Sequence, residues 1–113
     1  MTTTNRDFTI PAGGTLQFVV DVIDGPADLT GYVGSMQIRE LRTSEEVLAE
    51  VPPGAIVVNP GARQVTVTIP SSETSLYTWR RGVYDLLLTG PGSDSWRLVE
   101  GRVINSLAVT RED

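Results

Sequence analysis

Apolar side chains recur at every second position in window after window of this chain, and each window closes on glycine, proline or aspartate. That period belongs to half-buried strands, whose successive side chains point to opposite faces, and not to helices, which repeat about every 3.6 residues. Over residues 15–23, Leu16, Phe18, Val20 and Val22 fall on one face, expected to be core, and Gln17, Val19, Asp21 and Ile23 on the other. Asp24-Gly25-Pro26-Ala27-Asp28 then supplies turn chemistry, glycine accepting positive φ and proline fixing φ.

Further windows repeat the pattern. Residues 32–41 turn Met36 and Ile38 inward and Gln37 and Arg39 outward, and a short strand follows over 46–50. Pro52-Pro53-Gly54 ends it, because neither proline can donate to a ladder. Residues 55–59, the turn Asn59-Pro60-Gly61 and residues 63–69, with Val65, Val67 and Ile69 inward, read as a hairpin. Pro70-Ser71-Ser72-Glu73-Thr74 offers a serine to cap one helical turn running to about Leu76, the only helix expected. Residues 82–89 are apolar on both faces, which places that strand centrally in its sheet. Gly90-Pro91-Gly92-Ser93-Asp94 is a hairpin loop, and residues 96–110 form one long strand or two broken near Gly101.

About eight short strands with at most one helical turn predict an all-β, antiparallel, immunoglobulin-like β-sandwich. A chain of 113 residues is one domain's worth, with loose ends expected at about 1–6 and 111–113. Residues 74–84 resemble the corner before strand F of such sandwiches, where a tyrosine, here Tyr84, ties the corner to the backbone; the equal alternative is that Tyr84 is simply a core aromatic.

Composition narrows the chemistry. Cysteine and histidine are absent, which removes thiolate and imidazole ligands, the cysteine nucleophile and the usual general base. Ser71, Ser72 and Ser75 therefore have no histidine to activate them, and no catalytic residue, cofactor or metal site is assigned. Asp21, Asp24 and Asp28 gather around one turn without the spacing of a calcium loop and are read as solvated turn carboxylates. Glu45 and Glu46 are adjacent, so their side chains diverge and make a poor acid–base pair. Gly13-Gly14 precede a strand and imply no phosphate cradle. A net charge of −5 disfavours nucleic acid, and no apolar run approaches a bilayer span, so a soluble protein is expected. No small-molecule ligand is expected either. Every basic residue is arginine, the side chain suited to planar contacts at interfaces. Trp79, Arg80 and Arg81, with Trp96 and Arg97 elsewhere, are the candidate interface residues, since tryptophan and arginine carry much of the binding energy at protein interfaces; the alternative is that Trp96 packs on the core and Trp79 closes the corner beneath it.

The marks Ile10-Pro11-Ala12-Gly13-Gly14-Thr15, Asp28-Leu29-Thr30-Gly31-Tyr32 before a strand ending Ile38-Arg39, Ser72-Glu73-Thr74, Gly82-Val83-Tyr84-Asp85-Leu86, and Arg97-Leu98-Val99-Glu100-Gly101-Arg102-Val103 running to Val109-Thr110-Arg111 follow one another along nearly the whole chain. In that order they resemble a family of small tailed-phage structural domains that includes the N-terminal domain of siphophage upper-baseplate proteins. The resemblance implies a virion protein, assembled in the host cytoplasm, that docks to other virion proteins in a symmetric assembly at the tail, baseplate or head. Upper-baseplate proteins continue into a fibre region, whereas this sequence stops at Asp113, which favours an adaptor or accessory role. A capsid decoration protein is one alternative. A carbohydrate-binding module that meets host glycans through exposed Trp79, Trp96 or Tyr77 is another. The termini, 1–10 and 106–113, are expected to order on neighbouring subunits, so that removing residues 1–6 leaves the melting temperature nearly unchanged.

Overall fold

The computed structural model describes residues 4–23, 25–92 and 94–106. Asp24, Ser93 and residues 107–113 lie outside the described residues, so the expected course of the last strand to residue 110 and the ends at 1–3 and 111–113 are not described. Nine strands are present among the described residues: β1 (Thr4–Asn5), β2 (Phe8–Pro11), β3 (Leu16–Asp21), β4 (Val33–Arg39), β5 (Val47–Glu50), β6 (Ile56–Asn59), β7 (Gln64–Ile69), β8 (Arg81–Thr89) and β9 (Ser95–Ser106). One helical turn, α1 (Ser71–Thr74), joins β7 to β8, and a single 3-10 turn at Pro53–Ala55, which the sequence reading did not include, leads into β6.

Alternation places the strands as expected. Phe18 and Val20 on β3 and Val22 just after it, Met36 and Ile38 on β4, Val65, Val67 and Ile69 on β7, and Tyr84, Leu86 and Leu88 on β8 are all buried in one core. Each such aliphatic side chain withdrawn from water contributes about 1.5–3 kcal/mol, which is what holds two sheets face to face. One sheet is three-stranded in the order β3-β7-β6 and antiparallel throughout. The other runs β5-β4-β8-β9, with β1 and β2 both pairing in parallel with the far side of β9. Two sheets of this order, with β8 central in the larger one, form an immunoglobulin-like β-sandwich.

Three local features have physical causes, the last two of them departures from the sequence reading. Of the two courses open for the last strand, the unbroken one is found across Gly101. Gly101 lets β1–β2 pass close by, because a Cβ there would overlap the Arg6 carbonyl. Residues 4–6, expected to be loose, belong to the sheet: Thr4 and Asn5 pair with Val99 and Glu100, and the Arg6 N–H donates to Glu100 O at 2.9 Å. No serine caps α1. Pro70 stands at the cap position, and the side chain that anchors the turn is Thr74, fully buried, whose Oγ1 donates to Gly14 O at 2.7 Å and accepts from Gly13 N–H at 3.2 Å. Gly13 sits at φ +85°, a conformation glycine adopts freely, so the β2–β3 turn and the β7–β8 corner lock together.

Candidate interaction surface

After α1 the chain crosses the end of the sandwich to enter β8. Tyr77 is buried and Trp79 half-buried against the core, their rings 5.4 Å apart. Asn105, buried on the inward register of β9, holds this crossing: its Nδ2 donates to Tyr77 O at 3.2 Å and Trp79 O at 2.7 Å, and its N–H donates to Arg80 O at 2.8 Å. Trp79 is thus a structural closure of the corner, with Arg80 and Arg81 exposed beside it. Burial, helped by the nearby Glu73 carboxylate, pushes the Tyr77 phenol up to about 12. Asn105 is a residue that sequence reasoning missed. Its signal is a polar side chain two positions after Val103, in the inward register of an apolar alternation.

Trp96 and Arg97 lie elsewhere. Trp96 pairs with Leu88, whereas Arg81 pairs with Ile104, so the two tryptophan–arginine groups occupy opposite ends of the β8–β9 ladder. Leu88 lies seven positions along the strand from Arg81, about 23 Å at about 3.3 Å per residue. Trp96 is half-buried against the core, and Arg97 reaches Asp85 at 3.5 Å and Glu100 at 3.9 Å. The five candidate residues therefore form two separate places, at the two ends of the β8–β9 ladder. Exposed Trp79, Trp96 or Tyr77, expected as a sugar-stacking face, is also corrected: every tyrosine, tryptophan and phenylalanine in the chain is buried or half-buried, because each ring covers core or a sheet end.

Several arginines serve the fold. Arg63, at φ +52°, donates to Val22 O, Pro26 O and Ala27 O, which staples the loop after β3 to the β6–β7 turn. Arg39 does the same for Ser44 O and Glu45 O in the β4–β5 loop. The Asp28 carboxylate accepts the Thr30 N–H at 2.9 Å, which holds its pKa below the usual value, and Asp21 accepts from Gln64 Nε2 at 3.0 Å. Asp24 lies outside the described residues.

The two outer faces of the sandwich differ in chemistry. On the six-stranded sheet, Arg97, Asp85, Glu100 and Arg42 form a chain of ion pairs, Arg42 meeting Glu100 at 2.5 Å. Next to it opens a groove of about 500 Å³ between β1 and the β4–β5 loop, with Val83 and Gly101 in its lining and Leu41, Arg42 and Arg102 around it. On the three-stranded sheet, Val19, Thr66 and Val57 stand in one cross-strand row, flanked by Gln17 bonded to Thr68 on one side and Asp21, Gln64 and Asn59 on the other. Asp21 is the one charged residue of the outward register of these strands. Val19 is 44% exposed and Val57 57% exposed. No family model matches the chain, and no curated protein matches it at a significant level.

Proposed function

We propose that the chain is a non-enzymatic structural subunit of a tailed-phage virion, an adaptor or accessory protein of the tail, baseplate or head held in place by protein–protein contacts. The observation that carries this reading is the outer face of the β3-β7-β6 sheet. In a chain with 20% charged residues, that face has a single carboxylate and presents the row Val19–Thr66–Val57 to solvent. A flat, nearly uncharged face with exposed valines gains by burial against another protein, and depletion of charge is the compositional mark of interface centres. Repetition in a symmetric assembly lets a modest contact of this kind hold through avidity.

The order of sequence marks shared with small siphophage baseplate domains supports the phage setting. The capsid decoration role is the same chemistry at a different place. The glycan-binding role is disfavoured by the half-buried seats of Trp79 and Trp96 and the burial of Tyr77. Mass analysis of purified particles, before and after separation of heads from tails, tests the reading. The protein is expected at a fixed stoichiometry in one fraction, and its absence from washed particles overturns the proposal.

A further inference from the structure

On the outer face of the six-stranded sheet, Arg81 lies across from Ile104 and Val83 across from Arg102. Arg81 and Arg102 therefore occupy diagonal positions on one face, about 7–8 Å apart for such a pair, where like charges repel. Neither guanidinium makes a hydrogen bond or ion pair among the described residues. The carboxylates beside them have other partners: Asp7, which also lines the groove, accepts the Arg102 backbone N–H through Oδ1 at 2.8 Å, Glu100 takes Arg42, and Asp85 takes Arg97. Among the described residues, two adjacent arginines are thus left uncompensated.

Apolar surface surrounds the pair. Ile104 is 56% exposed next to Arg81, and Leu41, 61% exposed, overhangs the groove that Arg102 and Val83 line. We propose that this groove, together with the Arg81–Ile104 surface that adjoins it on the β8–β9 ladder, receives an acidic segment of a partner protein, the Arg81–Arg102 pair binding its carboxylates while Leu41, Val83 and Ile104 take an apolar side chain. Guanidinium–carboxylate bonds are strong and directional, and an apolar floor beside them supplies the desolvated surroundings in which they gain most. A long polyanion such as nucleic acid is repelled by the overall charge of −5, whereas a short acidic segment answers to the local pair. This inference rests on the reading of the chain as a structural subunit and names the chemistry of its partner.

The probe is an eight-residue peptide alternating glutamate and valine, titrated into the full chain and followed by amide chemical shifts, with a lysine–valine peptide as control. Saturable shifts confined to residues 41–43, 81–83 and 101–104 are expected. They should weaken at least about tenfold in Arg81→Glu/Arg102→Glu and partly in the milder Arg81→Gln/Arg102→Gln, as for loss of paired interface charges. An equal response to the lysine peptide, preference for a single-stranded oligonucleotide, or no shift at all overturns the proposal. So does a concentration-dependent shift of the same residues without peptide, which would assign the groove to a second copy and its Glu40, Glu45 and Glu46. Particles that incorporate the double variant at the wild-type ratio would remove the groove from assembly while leaving the virion reading intact. Particles lacking the wild-type protein would sink that reading and leave the titration standing.

Discussion

The hydroxyl of Tyr84 donates to the carbonyl of Arg6 at 2.5 Å, across 78 residues of sequence. Tyr84 sits on β8 in the larger sheet, and Arg6 bridges β1 and β2 at its edge, its guanidinium reaching on to Val19 O of the smaller sheet at 3.3 Å and lying 5.6 Å from the Phe18 ring. Phe8 completes the junction, 4.6 Å from Tyr84 and 5.0 Å from Phe18 between ring centroids. The tyrosine thus secures the N-terminal edge strand, where the sequence pattern placed it as a tie for the corner before β8.

Tyr84→Phe keeps the ring and removes the donor, leaving the Arg6 carbonyl without this partner. Stability should fall by about 1–2 kcal/mol and the melting temperature by about 4–8 °C, measured by thermal unfolding. Truncation through Arg6 removes the same bond. The sequence-based expectation that residues 1–6 can be deleted at almost no cost is therefore replaced: such a deletion lowers the melting temperature, and removal of residues 1–3 leaves the Tyr84–Arg6 bond in place.

Gly101→Ala puts a methyl group where the Arg6 carbonyl lies. The edge strand must move away from β9, at a cost of about 1–3 kcal/mol. Hydrogen exchange reads this directly, because the Arg6 N–H that donates to Glu100 O should lose protection while the β3–β7 amides keep theirs.

Thr74→Val removes the hydroxyl that joins α1 to the β2–β3 turn and leaves the Gly13 N–H and Gly14 C=O without that partner. A loss of about 1–3 kcal/mol is expected in urea unfolding, whereas Thr74→Ser, which keeps the oxygen, should lose less.

The buried phenols make stability sensitive to alkali. Tyr77 is raised from 10.0 to about 12, by burial and then by Glu73, and burial also raises Tyr84. Below pH 10 the phenols are neutral in both folded and unfolded chains, so their stabilising contribution is fully present. As pH rises from about 10 to about 12 the unfolded chain ionises first and that contribution is lost. Unfolding midpoints should therefore decline over this window, and Tyr77→Phe should flatten the decline with little change at pH 7, because the Tyr77 Oη makes no hydrogen bond among the described residues.

The strands were legible because their inward positions are apolar at period two. Val65, Val67 and Ile69, or Met36 and Ile38, announce their face without reference to any neighbour. What depends on pairing was not legible. The placing of the two tryptophan–arginine groups at opposite ends of one ladder follows from the β8–β9 register, and that register contains an irregularity at Leu86/Leu87 which also lets Leu98 and Val99 both be buried. Gly101 reads as a weak point of a strand until the edge strand beside it is known. The Arg81–Arg102 juxtaposition joins residues 21 positions apart and leaves no mark in the local sequence, and Asn105 resembles any polar strand residue until its inward register is fixed.

The central proposal is that the β3-β7-β6 face, charged only at Asp21, is buried against a neighbouring virion subunit. The direct measurement is the stoichiometry of Val19→Asp/Val57→Asp in purified particles relative to wild type. Both positions are exposed, so the variant should melt close to the wild-type temperature. Its incorporation is predicted to fall at least about tenfold, as expected when charge is forced into an interface centre. Incorporation at the wild-type ratio by a stably folded variant would contradict the account.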